Sequence, residues 1–109
     1  MEKYSIRITR QAGEHLREIY RYIERELSAP IAAKNTMLAL KNEMNSLATM
    51  PGRIHLTPEE PWHSLGIHRD RVKNYYIYFW INQATKQVEI IGIIYVKRDQ
   101  MTRLGEIEF

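Results

Sequence analysis

Leu27-Ser28-Ala29-Pro30-Ile31 is the stretch on which the fold turns. Before it, apolar residues fall at Ala12, Leu16, Ile19, Ile23 and Leu27, in steps of four, three, four and four. After it, Ala33, Met37, Leu40, Met44 and Leu47 step by four, three, four and three. Steps of this kind keep one stripe of a helix facing a core. Ser28-Ala29 interrupts the pattern, and Pro30 suits the first turn of a new helix, where its missing amide would have no intrahelical partner. Two helices of similar length joined so briefly lie antiparallel, as an αα-hairpin. Thr9 stands ready to cap the first helix, its hydroxyl accepting from a free first-turn amide.

Working outward, Lys3 to Ile8 alternates, with Tyr4, Ile6 and Ile8 on one face, which predicts a short half-buried strand. Residues 51–66 hold Pro51, Pro58, Pro61, Gly52 and Gly66 and read as a loop within the domain. Beyond it, Ile67 to Lys73, Tyr75 to Ile81 and Val88 to Val96 read as three strands, the last two joined by the polar turn of residues 82–86. The order β-α-α-β-β-β predicts an α+β fold with the helical hairpin packed on one face of an antiparallel sheet.

The chain has 109 residues, 44% hydrophobic and 27% charged, so one domain spanning 1–109 is expected. A net charge of +3 suits a polyanionic partner without requiring one. Cysteine is absent, which excludes disulfides, thiolate metal sites and cysteine nucleophiles. His15, His55, His63 and His68 lack metal-ligand spacing, so no metal is expected. Neither a Gly-x-Ser-x-Gly elbow nor a phosphate-binding glycine loop occurs, so no cofactor is expected either. The longest apolar run, Ile90 to Val96, is far short of the roughly 20 residues that span a bilayer, and Met1 to Ile8 offers no signal-peptide core. A soluble, cytoplasmic chain with no membrane partner is expected.

Two basic clusters stand out. Alternation along the second strand puts Arg69, Arg71 and Lys73 on one face and Asp70 and Val72 on the other. Lys97-Arg98-Asp99 follows the last strand. Brought together on neighbouring strands, the two clusters would make an anion site; apart, each is a solvated sheet edge guarded by charge. Between them runs Tyr75-Tyr76-Ile77-Tyr78-Phe79-Trp80-Ile81. Tyr75, Ile77, Phe79 and Ile81 suit the core, which leaves Tyr76, Tyr78 and Trp80 as an aromatic row on the opposite face. Either the chain's own 51–66 loop and carboxyl tail cover that row, or it is a groove for a partner peptide or stacked bases.

Together these segments resemble the RelE/ParE superfamily of toxins from bacterial type II toxin–antitoxin modules. The resemblance is carried by Tyr4-Ser-Ile-Arg-Ile-Thr-Arg-Gln-Ala12, Ile19-Tyr-Arg-Tyr-Ile23, Leu27-Ser-Ala-Pro-Ile-Ala-Ala33 and Leu47-Ala-Thr-Met-Pro51. It continues in Arg71-Val-Lys-Asn-Tyr75, Tyr76-Ile-Tyr-Phe79 and Ile94-Tyr-Val-Lys-Arg-Asp99. The long hairpin and the closing Arg-Asp look more like the ParE branch than the RelE branch.

The resemblance implies a growth-inhibiting toxin neutralised by a cognate antitoxin protein. A ParE-like chain would poison DNA gyrase; a RelE-like chain would be a metal-independent endonuclease acting on mRNA at the ribosome. A third reading is an antitoxin-binding module without toxicity. Arg69 falls where RelE-type enzymes carry a lysine, and Arg98 matches a basic residue of their closing strand. Tyr76 replaces an arginine of that pattern, and Leu104 stands where a catalytic tyrosine is expected. RNA cleavage needs a base for the 2′-hydroxyl and cations for the phosphorane charge. Arg69, Arg71, Lys97 and Arg98 are the candidate cations, with Tyr95 or a loop histidine as the candidate base. Tyr76, Tyr78 and Trp80 are the candidate residues for binding antitoxin or target.

Overall fold

A computed structural model describes residues 3–97. Strand β1 (Ser5–Ile8) leads into helix α1 (Arg10–Arg21), a π-helical turn (Tyr22–Glu26) and helix α2 (Pro30–Ser46). The 51–66 loop opens with a short 3₁₀ turn and precedes strands β2 (Ile67–Val72), β3 (Tyr75–Asn82) and β4 (Gln87–Tyr95). Thr9 caps α1 as expected: its Oγ1 accepts from the Ala12 amide at 3.3 Å and donates to the Ile90 carbonyl at 2.8 Å, tying the cap to β4. Pro30 occupies the start of α2.

The sheet order is β1-β4-β3-β2. β2, β3 and β4 form the expected antiparallel meander, but β1 runs parallel to β4, pairing Ser5 with Gln87 through Ile8 with Ile90. The sheet is therefore mixed rather than antiparallel throughout. Alternation says which residues share a face but carries no strand direction. Here the helical hairpin returns the chain past β1 to the far edge, so that the last strand comes back beside the first with the same sense. Arg7 and Glu89, opposite each other in that pairing, form an ion pair.

The helix-facing core gathers Ala12, Leu40, Met44 and Leu47 with Tyr75, Ile77, Phe79, Val88, Ile90 and Ile93. Leu16, Ile19 and Met37 pack half-buried at its margin. Leu27 departs from its stripe and is 55% exposed. In the π turn the Leu27 amide bonds back five residues to Tyr22, at 3.2 Å, instead of four. The extra residue shifts the phase and carries Leu27 off the core side.

A second, smaller core lies on the outer face of the sheet, where Trp62 of the loop packs with Ile67, Tyr78, Ile91 and Ile94. The loop is tied to the edge of β2: the Arg69 amide donates to the His55 carbonyl at 3.1 Å, the Thr57 amide to Ile67 at 2.7 Å, and Leu56 bridges His68. A bulge opposite Tyr78 and Phe79 turns Ile91 outward, so that Ile90 and Ile93 share the inner face while Ile91 and Ile94 share the outer one.

Candidate functional site

The outer face is built on β2 and β3. Pairing sets Arg69 opposite Tyr78 and Arg71 opposite Tyr76, so cations and aromatics interleave. The Arg69 guanidinium lies 4.4 Å from the centre of the Tyr76 ring, a cation–π contact, and Tyr76 meets Tyr78 edge-on at 6.1 Å. Glu59, reaching over from the loop, comes within 3.6 Å of Arg69. Arg71 is exposed and donates from Nε to the Lys73 carbonyl at 3.1 Å. Lys73 itself leaves the strand: it takes a left-handed conformation in the β2–β3 turn (φ 53°), so the expected third cation of the row is absent from that face.

The aromatic row divides. Tyr78 has 0% exposure beneath the second core, with Trp62 as part of its cover. Burial pushes its phenol up to about 12, with Arg69 pulling partly against that rise. Tyr76 is half-buried, and Trp80 remains 38% exposed. The Trp80 indole lies against Gly66, where a Cβ would sit 3.6 Å from Cδ1 and where φ is +81°. Glycine thus meets the demand of a left-handed backbone there, while the indole sits at ordinary contact distance. The loop accounts for the cover of Tyr78 and meets Trp80 at Gly66, while the carboxyl tail lies outside the described residues.

The remaining candidates lie elsewhere. Tyr95 pairs with Tyr75 on the inner face, their rings edge-on at 5.6 Å. With Lys97 it lines a cleft of about 610 Å³ between the helices and the end of the sheet, alongside His15, Tyr22, Leu27 and Lys73. His15 Nδ1 accepts the Ile93 amide at 3.1 Å, which leaves the proton of the neutral ring to Nε2. β3 separates β2 from β4, so the two basic clusters are not on neighbouring strands, and Lys97 and Tyr95 share the cleft rather than the Arg69 face. Arg98 and Leu104 lie outside the described residues. His68 is turned inward, stacked on Phe79 at 4.9 Å with Nδ1 2.8 Å from the Ile54 carbonyl.

Sequence reasoning missed two acidic residues. Glu59 was hidden in an unpatterned loop. Asp70 was legible as inward-facing by alternation alone, yet nothing in the sequence pointed to its partner. It is 9% exposed beneath α2, and burial together with a hydrogen bond and charge repulsion from Glu43 pushes its carboxyl up to about 7. Among the described residues no three His, Asp or Glu side chains converge to hold a metal, and no helix is long and apolar enough to cross a membrane.

Residues 6–100 match the family model described as the ParE toxin of the type II toxin–antitoxin system parDE. No curated protein matches the sequence. Among solved structures, the chain resembles one from the chromosomal ParDE toxin–antitoxin system of P. aeruginosa, at 20% identity and a TM-score of 0.71, over 87% of this chain and 98% of that one. It also resembles a chain of the RelBE2 toxin–antitoxin complex from Mycobacterium tuberculosis, at 17% identity and a TM-score of 0.63, over 87% and 93%. At such identities the likeness is one of fold.

Proposed function

The chain belongs to the ParE toxin family of type II toxin–antitoxin systems, and from that premise we propose that it arrests growth in the cytoplasm by poisoning DNA gyrase and is neutralised by a cognate antitoxin. The observation that carries this over an mRNA endonuclease is the dispersal of the groups cleavage would need. Arg69 and Arg71 stand on the outer face, while Tyr95 and Lys97 line the helix-side cleft. Tyr78, opposite Arg69, holds its proton far above neutral pH, and His68 faces inward. Tyr95 is set apart from these cations, and of the loop histidines His63 is engaged at 3.1 Å with the Thr57 carbonyl, so the face suits recognition of an anionic target better than 2′-hydroxyl activation. In this reading Arg69 and Arg71 engage the target, and Trp80 with Tyr76 anchors a partner segment that folds on binding.

Induction without antitoxin is the test. The expected result is an SOS response and double-strand breaks before protein synthesis falls, and accumulation of cleaved DNA by purified gyrase. Immediate loss of translation with cut mRNA would favour the endonuclease instead. No growth effect, with antitoxin binding retained, would reduce the chain to a binding module.

A further inference from the structure

Glu59 is the charged group on the outer face for which the proposed function has no use. Its Oε2 is shut off from solvent and accepts no hydrogen bond. The same oxygen stands 3.6 Å from Arg69 Nη1, close enough for charge attraction and too far for a hydrogen bond. A carboxylate oxygen stripped of water without a donor is unfavourable, so the loop must hold it there. The holding is visible on either side of it. Residues 55–57 are bonded to the edge of β2, and Trp62, buried in the second core, accepts from the Ile67 amide at 3.0 Å.

We propose that Glu59 is a built-in counter-anion that masks the Arg69 subsite, so that an oxyanion engages this face only by displacing it. The proposal rests on the reading of this face as target-binding. An incoming phosphate or carboxylate that hydrogen-bonds the guanidinium directly makes the stronger contact, since charge-assisted bonds at full length outrank attraction at 3.6 Å. Glu59 regains water as it leaves. The exchange needs a side-chain rotation and keeps the loop's backbone bonds. Tyr76 stays beneath Arg69 to hold the guanidinium level during it.

Binding of inorganic pyrophosphate to the purified chain, read by calorimetry, tests the masking. Glu59→Gln should tighten pyrophosphate binding about fivefold, the scale of one half-exposed ion pair. Glu59→Gln in an Arg69→Gln background should bind no tighter than Arg69→Gln alone. Glu26→Gln, which changes net charge equally on the exposed π turn, should leave affinity unaltered. An equal gain in Glu26→Gln, no gain in Glu59→Gln, or a gain that survives without Arg69 overturns the proposal. Should Glu59→Gln lower Tm, Glu59→Asp decides: it keeps the charge but draws it back by one methylene, and a smaller gain supports masking while no gain refutes it. The target reading fails separately, if Arg69→Gln keeps full growth arrest while the pyrophosphate results stand.

Discussion

Asp70 alternates with Arg69 and Arg71 along β2, and that single alternation sends it under α2 while they face out. There it meets Glu43 from α2, with Arg53 of the following turn pulling the other way. Arg53 is itself committed to the end of α2, donating to the Thr49 and Met50 carbonyls at 2.8 and 3.0 Å. Burial first, and then Glu43, hold the Asp70 carboxyl protonated above the ordinary value of 3.8, up to about 7. Between those limits the folded chain holds a proton that the unfolded chain has released, so stability falls as pH rises. Denaturant titrations at a series of pH values should show a loss on the order of 1–2 kcal/mol across that window, discounted for partial solvation. Asp70→Asn should remove most of the slope. A slope of opposite sign would mean that Arg53 outweighs burial and Glu43 together. Exchanging Arg69 and Arg71 of the outer face, together with Arg98, for glutamine should abolish growth arrest at equal expression. Full toxicity in that variant would reduce them to solvated edge charges.

At the scale of elements, α2 and the π turn make a controlled pair. Leu40 is fully buried between the hairpin and the sheet, so Leu40→Ala should cost about 2–5 kcal/mol in equilibrium unfolding. Leu27 belongs to the same apolar spacing in the sequence, yet the π turn has moved it into the open. Leu27→Ala should therefore stay within about 0.5 kcal/mol of wild type. A cost near that of Leu40→Ala would show that the first stripe runs unbroken into the hairpin's end. Periodicity identified both helices and their shared stripe, but it could not register the π turn. Steps of three and four average over one inserted residue, and only the backbone bond from Leu27 to Tyr22 records it.

For the whole molecule, the decisive feature is that a four-stranded sheet has two faces and one helical hairpin. The loop supplies the second cover through Trp62. Trp62→Ala should lower the stability of the free protein by about 3–5 kcal/mol, as expected for emptying a closed aromatic site. Trp80→Ala, at a partly exposed site, should cost the free protein about 1 kcal/mol or less and instead weaken antitoxin binding. Stability and complex affinity measured side by side separate these roles. A large stability loss in Trp80→Ala with affinity unchanged would assign it to the core as well.

The sequence by itself determined the element order, the faces of β1, of β2 as far as Arg71 and of β3, and the stripe of α2, because these follow from local periods of two and 3.6 residues. It also carried the family likeness, and it placed Arg69 and Arg71 together opposite Asp70. Tertiary structure alone decided that β1 joins β4 in parallel, that a bulge sends Ile91 and Ile94 outward, and that Trp62 seals Tyr78. It likewise separated Tyr95 and Lys97 from the Arg69 face, and set Glu59 on Arg69 and Glu43 on Asp70. The physical reason is one of range. A side chain's face is set by its neighbours in the chain, whereas strand direction, the partner of a buried charge and the cover of a second sheet face depend on contacts between distant segments, which no local period encodes.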